Sequence, residues 1–555
     1  MNPSQRRRNG GKVLVDQLVI QGVERISCVP GESYLAALDA MLDVDIDVLV
    51  CRHEGGAAMM AQAYGKLTGK PGICFVTRGP GATNAAHGVH IAAHDSTPMI
   101  LFVGQVERGV LGREAFQEID HRHFFGDIAK WVVEIDRVER IPELTARAFR
   151  MATQGRPGPV VVSLPEDMLT ENATCCDAPR IVPVAVSPCS EDLAALTSYL
   201  SKANAPLVIL GGSCWDEAGY EAIHEFATRF NVPVATSFRR TDLFNALHPS
   251  YAGDMGFGIN PALAKRVIEA DLIIMVGARL SEVPSSSYSL LTIPKPKQTL
   301  IHVYPDADEI GRIYQPDLGI VAAPHAMAKA LENLTPSLPI SWDAQTKEAH
   351  QQYLNWTDTP KTLPGDFQYG EVIVWLRDRM PRETIVCNGA GNFAIWVHRY
   401  WRHQELGTQL APTSGSVGYS VPVGVLAKRQ FPGRPVIVFS GDGCFLMQGQ
   451  EFAVAVQYGI NVVFIVIDNG MYGTIRMHQE RDYPKRVIGT DLRNPDFAAL
   501  SRAYGGHGET VRVTSEFAPA FERSLNCGKP AIIHCFIDPQ AITPSKTLDQ
   551  ITRGE

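Results

Sequence analysis

None of the 11 cysteines in this 555-residue chain forms a Cys-x-x-Cys pair, and the only close neighbours are Cys175 and Cys176. An odd, scattered set offers no disulfide framework. Cys74 in GICFV and Cys535 in AIIHCF sit inside apolar runs, so reduced core cysteines in a cytoplasmic protein are expected. No run of 18 apolar residues occurs, so no transmembrane helix is expected. No apolar stretch follows Arg6, Arg7 and Arg8 in MNPSQRRRNGGK, so the start does not read as a secretory signal; the triplet is expected to be a frayed, solvated terminus. Glycine, 48 of 555, is too sparse for collagen. Charged residues are only 20% against 45% hydrophobic, which excludes a disordered chain. The formal charge of −8 excludes a general nucleic-acid binder. Short-period repeats and low-complexity segments are also absent.

What is present is enough chain for about three domains, written as short apolar strands alternating with longer helical stretches. DVLVC (47–51), GICFVT (72–77), MILFVG (99–104) and PVVVSLPEDM (159–168) read as strands of a first block, with small-residue helices at 55–69 and 82–95. A polar, proline-bearing stretch (171–190) reads as a linker. PLVILGG (206–212), VPVATS (232–237), LIIMVGARL (272–280) and LIHVYPD (300–306) are strands of a second block. Segment 333–365 reads as a second connection, poor in strands. TIVCNG (384–389), VIVFSGDG (436–443), VVFIVIDN (462–469) and AIIHCFID (531–538) are strands of a third. Continuous apolar strands alternating with helices imply parallel sheets covered on both faces. The expectation is an α/β protein of three doubly wound domains at about 10–180, 190–335 and 366–545, the first and third being the same kind of unit.

The third block carries the chemistry. Gly441-Asp442-Gly443 directly follows the strand 436–440, a helix is expected over 444–459, and Asn469 follows the next strand. Asp442 and Asn469 thus both lie at carboxyl ends of parallel strands, where open α/β sheets bind ligands. A carboxylate and an amide carbonyl are hard oxygen donors, suited to Mg²⁺ or Ca²⁺; Mg²⁺ leaves positions for substrate phosphates. Gly441 and Gly443 allow close backbone approach to a phosphate, and the following helix offers its N-terminus. An Asp-capped turn with an unrelated Asn is the plain alternative.

Gly-Asp-Gly followed at this distance by Asp-Asn resembles the thiamine diphosphate enzymes of the acetolactate synthase and pyruvate decarboxylase superfamily. The string RHEGGAAMMAQAYGKLTGKPGICFVTRGPGATNAAHG (52–88) resembles its pyrimidine-binding domain, and the likeness spans about residues 10–545, nearest to acetolactate synthase large-subunit-like proteins. The resemblance implies thiamine diphosphate and Mg²⁺ as cofactors, with Asp442, Asn469 and the Met471 backbone as metal contacts. Glu54 would be the cofactor-activating glutamate, its carboxyl bonded to a pyrimidine nitrogen so that the thiazolium proton can leave; by itself Glu54 is an ordinary helix start. Gly415 would offer its carbonyl to the aminopyrimidine. Val417 would be the wedge that bends the cofactor, where the family usually has Met. Gly389, Ala390 and Gly391 resemble the diphosphate loop, and Pro30 and Gly31 the loop near the thiazolium. Gly441, Gly443, Cys444, Tyr472 and Gly473 complete the expected cofactor set.

Ala115-Phe116-Gln117-Glu118 resembles the family's Phe-Gln-Glu element, which makes Phe116 and Gln117 candidate catalytic residues; the plain alternative is a helix with one of them buried. The histidines of the decarboxylases are not matched, Thr77-Arg78 standing near those regions, and His94, His121 and His123 read as structural. With no evident acid for aldehyde release, carboligation of a 2-oxo acid to a 2-oxo acid or aldehyde is expected. A 2-oxo acid decarboxylase, an aldehyde lyase, a 2-hydroxyacyl-CoA lyase and a non-catalytic nucleotide-binding or regulatory homologue are the alternatives. His-Glu-Gly stands where the family usually has His-Glu-Gln, and His478 near a usual tryptophan. The second block resembles a FAD-carrying middle domain, so FAD is a further candidate cofactor; a vestigial dinucleotide fold is the other reading. The family pairs its glutamate and metal site across subunits, implying a homodimer or homotetramer with interfacial active sites, and no nucleic-acid or membrane partner.

Overall fold

The computed structural model describes residues 7–336 and 339–555. Among the described residues the strands form three six-stranded sheets, each parallel throughout, and one two-stranded antiparallel pair. Edge to edge, the first runs Asp47–Val50, Arg25–Cys28, Gly72–Thr77, Met99–Gln105, Pro159–Pro165, Trp131–Glu134. The third runs Gln409–Leu410, Ile385–Asn388, Val436–Gly441, Val463–Asp468, Ala531–Phe536, His507–Val511. With strands numbered by chain order within each sheet, both read 2-1-3-4-6-5, so the first and third blocks are one architecture used twice. The middle sheet runs Tyr251–Met255, Val234–Ser237, Pro206–Leu210, Leu272–Val276, Thr299–Tyr304, Leu318–Val321. It reads 3-2-1-4-5-6, the strand order of dinucleotide-binding doubly wound sheets.

The central strands are buried along both faces, which is why they read as continuous apolar runs rather than alternating ones. In the first block Ile100, Phe102, Val160 and Val162 enter a core with Val13, Leu14 and Leu18 of helix Gly10–Ile20 and Leu144, Ala148 and Phe149 of helix Ile141–Thr153. Their neighbours along the strands point to the opposite face. The middle sheet has a separate apolar cluster on each face.

By contacts the chain divides into two compact units. The first comprises Met1–Val184 with Val425–Gln430 and Gln448–Tyr458; the second comprises the middle sheet and the remainder of the third block. All eleven thiols are free, and seven are buried, matching the expected core cysteines. Among the described residues no helix is long and apolar enough to cross a membrane.

Several expectations need correction. Arg6 lies outside the described residues, but Arg7–Asn9 is a strand paired antiparallel with Asn172–Thr174. Arg8 meets Asp16 at 2.6 Å and Asp177 at 2.7 Å, so two carboxylates tie down what composition suggested was solvated. The expected linker 171–190 therefore begins in a strand, and Cys175 is buried in the first core. The strand at 159 ends at Pro165, and Glu166–Thr170 is helical. The connection 333–365 holds a 16-residue helix, Asp343–Asp358. Its buried face is Thr346, Ala349, Tyr353 and Thr357, helically spaced but too polar for an apolar pattern to reveal. The helix expected over 444–459 starts at Asp442 and is broken by a tight turn at Gly449–Glu451. Strands Arg25–Cys28, Trp131–Glu134, Tyr251–Met255, Leu318–Val321, Gln409–Leu410 and His507–Val511 were not apparent in the sequence, being short or polar.

Each block buries a neutral histidine. His121 bonds Ser163 Oγ at 2.9 Å, His302 bonds the Ala278 carbonyl at 3.0 Å, and His403 bonds Thr408 Oγ1 at 2.9 Å. Burial pushes each imidazole down to about 4. Between that value and the unfolded value of about 6.5 the unfolded chain holds more protons, so stability falls as pH falls through this window. Three such groups give a slope of up to about 4 kcal/mol per pH unit. The carboxyls of Asp254, Asp442 and Glu451, pushed up to about 7, take up protons in the fold over the same range and oppose this slope. The check therefore compares denaturant midpoints of wild type and His302→Gln from pH 7 to pH 4: the variant should lose less stability as pH falls, and equal losses would contradict this burial.

Candidate active site

In a 2-1-3-4-6-5 sheet the chain reverses its direction of winding between strands 1 and 3, and ligands bind beyond their carboxyl ends. In the third sheet these are Ile385–Asn388 and Val436–Gly441. A cavity of about 290 Å³ opens there. Ala390, Gly391, Gly415, Val417, Gly441, Asp442, Gly443, Cys444, Asn469, Met471, Tyr472 and Gly473 all line it. Of the expected third-block set only Gly389 does not; its carbonyl accepts from Arg239 Nη2 at 3.0 Å. Residues spread over more than 80 positions therefore converge because three strands and a loop end on one edge. A Cβ at Gly443 would lie 2.6 Å from the Tyr472 ring, so a larger residue there would push that ring aside.

The electrostatics centre on Asp442, the first residue of helix Asp442–Gln448 and 4% exposed. Its Oδ2 accepts from Asn494 Nδ2 at 2.7 Å, and the same amide donates to Asp468 Oδ1 at 2.8 Å. Burial and the neighbouring Asp468 push the Asp442 carboxyl up to about 7. Asp468 is also raised by burial, but His534 at 2.9 Å and Asn494 more than offset it, leaving it below the usual carboxylate range. Two carboxylates sharing one amide in a buried site are unfavourable without a cation. Asn469 stands beside them, its Oδ1 accepting from Met471 N at 3.2 Å. Asn494 Oδ1 is buried with no partner. Among the described residues no group of three or more His, Cys, Asp or Glu could hold a metal unaided. Hard oxygens from Asp442, Asn469 and the Met471 backbone thus suit Mg²⁺ whose other ligands are phosphate and water. Sequence reading took Asp468 only as part of the Asp-Asn strand end and missed Asn494 and His534; for Asn494 the signal was the Asn494-Pro495 turn ahead of helix Phe497–Tyr504.

In the first sheet the equivalent edge collects the loop after Cys28, with Pro30 and Gly31, and the turn Thr77-Arg78. Ser33 Oγ and Thr77 Oγ1 are 2.7 Å apart across it. Glu54 opens helix Glu54–Thr68, with His53 as its N-cap and a carboxylate that accepts from Asn84 Nδ2 at 2.9 Å. Phe116 and Gln117 are not on a helix. Their loop is fastened by the Glu118 carboxylate, which accepts from Gly112 N at 2.6 Å and Ala115 N at 2.9 Å. Phe116 is 74% exposed. Gln117 has φ +67°, a strained region for a non-glycine residue, and its carbonyl accepts from Gly79 N at 2.8 Å. Arg78 is also left-handed, at φ +42°, and pairs with Glu166 at 2.7 Å.

The chain matches the thiamine pyrophosphate enzyme N-terminal TPP binding domain over residues 8–124, the central domain over 193–331 and the C-terminal TPP binding domain over 389–535. The acetolactate synthase large subunit of Parasynechococcus marenigrum is 30% identical over 91% of this chain and 83% of its own length.

The chain belongs to the thiamine pyrophosphate enzyme family.

The acetolactate synthase isozyme 2 large subunit of Escherichia coli K12 is 29% identical over 96% of both chains. The Lactococcus lactis acetolactate synthase large subunit is 30% identical over 90% of this chain and 87% of its own. The protein is therefore a thiamine-diphosphate-dependent enzyme similar to acetolactate synthase large subunits along nearly its whole length. Its two TPP-binding domains are the two sheets of identical strand order.

Proposed function

We propose that this enzyme is an acetolactate synthase-like carboligase, joining the two-carbon unit of a 2-oxo acid such as pyruvate to a second 2-oxo acid or an aldehyde. The observation that carries the reading is the cavity at the switch point of the third sheet, where Gly415, Val417, Asp442 and Asn469 meet. Asp442, Asn469 and the Met471 carbonyl would hold Mg²⁺ against the diphosphate of thiamine diphosphate. The Gly441–Cys444 turn and the loop Gly389–Gly391 would surround that diphosphate, with Met471, Tyr472 and Gly473 closing the cavity. When bound, the cofactor supplies a nucleophilic carbon that adds to the 2-oxo acid carbonyl. Gly415, at φ +70°, would offer its carbonyl to the aminopyrimidine, and Val417 would be the wedge beneath the cofactor. Glu54 would hydrogen-bond the pyrimidine nitrogen. Pro30, Gly31, Phe116 and Gln117 would lie near the reacting end.

The middle sheet's strand order supports a dinucleotide site, and FAD is the candidate ligand. Glu54 and the Asp442 site are read as meeting across subunits in a homodimer or homotetramer. Domain limits of 10–180, 190–335 and 366–545 and a cytoplasmic location belong to the same proposal.

Product analysis with pyruvate, thiamine diphosphate and Mg²⁺ tests the chemistry: acetolactate is expected, whereas acetaldehyde alone, or no turnover with any 2-oxo acid, would overturn it. The shared site gives a second expectation. Mixing inactive Glu54→Gln chains with inactive Asp442→Ala chains should restore activity, since a hybrid dimer contains one intact site. Random pairing makes about half the dimers hybrid, so recovery near a quarter of wild-type activity is expected. Activity in a sedimenting monomer would contradict it.

A further inference from the structure

Glu451 is a fully buried carboxyl, 0% exposed, in the turn Gly449–Glu451 that interrupts the run after Asp442. It plays no part in the reading above. It belongs to the same compact unit as Glu54. Its Oε1 and Oε2 accept from the backbone N–H of Arg52 at 3.1 and 3.2 Å, and the His53 N–H adds to the same carboxylate. These are the two amides immediately before Glu54, at the start of helix Glu54–Thr68, where the helix dipole favours a negative charge. Gln457, further along the same segment, takes the Arg52 guanidinium.

Two glycines give the carboxyl this access. A Cβ at Gly56 would lie 2.7 Å from Glu451 Cδ, so any larger residue would displace it. A Cβ at Gly55 would lie 3.0 Å from Gln448 Nε2, so the Gln448 amide stands where a side chain at position 55 would begin. Position 55 is where the sequence departs from the usual His-Glu-Gln, and Gln448 from the third block fills the space.

We propose that Glu451 is a positioning residue: its carboxyl clamps the Arg52 and His53 amides and so fixes the approach of Glu54 to the pyrimidine nitrogen. This rests on the reading of Glu54 given above. The titratable and charged groups facing Glu451 are Cys51, Arg52, His53 and Glu54 on the packed turn. Burial, with Glu54 adding to it, pushes the Glu451 carboxyl up to about 7, so the clamp changes charge near neutral pH. The ionised carboxylate accepts from both amides, whereas the protonated acid loses one acceptor. The clamp therefore tightens as pH rises through that value.

The test compares wild type with Glu451→Gln and Glu451→Leu in the full-length protein. In cofactor-free protein, amide hydrogen exchange of the peptide spanning 51–54 should be faster in both variants at the same pH and, in wild type, its protection factor, the rate corrected for the intrinsic base-catalysed rise, should increase from pH 6 to pH 8. With thiamine diphosphate and Mg²⁺ added, calorimetric cofactor affinity should stay within a few-fold. Deuterium exchange at the thiazolium carbon should slow roughly 10- to 100-fold in Glu451→Gln, because a small misplacement of a reacting group costs that much. Wild-type amide protection in Glu451→Gln would overturn the clamp. Slowed exchange with a matching loss of cofactor affinity and melting temperature would make Glu451 merely structural, which also overturns the proposal. If Glu54→Gln leaves thiazolium exchange unchanged, the reading of Glu54 fails, while the cofactor-free measurement still decides whether the clamp exists.

Discussion

Glu54→Gln should bind thiamine diphosphate and Mg²⁺ nearly as well as wild type while exchanging the thiazolium proton roughly 10²–10⁴-fold more slowly, the range typical of general acid–base assistance. The residue opens helix Glu54–Thr68 and its carboxylate is already oriented by Asn84 at 2.9 Å. A glutamine amide can occupy the same place and donate one hydrogen bond to a ring nitrogen, so cofactor affinity has little reason to change. It has no carboxyl proton to give, so the loss belongs to turnover rather than to affinity. The measurement is quenched-flow deuterium exchange followed by NMR, with calorimetric cofactor affinity in parallel. Equal exchange rates in the two proteins would leave Glu54 a helix-start residue and nothing more.

Asp442→Ala should leave the cofactor-free fold intact and abolish metal-dependent cofactor binding. The carboxyl is buried beside Asp468 and pushed up to about 7. Because its folded value lies above its unfolded one, ionising it near neutral pH costs the cation-free fold some stability. Removing it should therefore leave the melting temperature of the cofactor-free protein unchanged or slightly raised. Asn494 keeps its bond to Asp468 in the variant. The cation, by contrast, loses its only charged protein ligand in the proposed set. Loss of a hydrogen-bond partner to a metal ligand alone weakens binding about 10- to 100-fold, so deleting the ligand should exceed that range. The upward shift in melting temperature produced by Mg²⁺ and thiamine diphosphate in wild type should disappear. A persisting shift in Asp442→Ala would remove the metal assignment.

Much of the architecture was legible because the buried strands are continuous apolar runs. Met99–Gln105, Leu272–Val276 and Val463–Asp468 announce themselves, and their alternation with helices implies parallel sheets. Asp442 and Asn469 were legible for a related reason, since each directly follows such a run and must emerge at a strand's carboxyl end. Arg8 was misread because composition cannot reveal that Asp16 and Asp177 lie beside it. Helix Asp343–Asp358 was missed because its buried face includes Thr346 and Thr357, whose hydroxyls are satisfied by backbone carbonyls and so tolerate burial.

By itself the sequence determined the α/β class, the three blocks, the Gly-Asp-Gly and Asp-Asn strand ends and the position of Glu54, since each depends on local periodicity or on residues adjacent in the chain. Only the tertiary structure decided that the first and third sheets share one strand order, that Asn494 bridges Asp442 and Asp468, and that Glu451 lies under the Arg52 and His53 amides. Strand order and such contacts join residues 26 to about 400 positions apart. No local pattern encodes them, because they follow from how sheets wind and how segments pack once the apolar runs are buried.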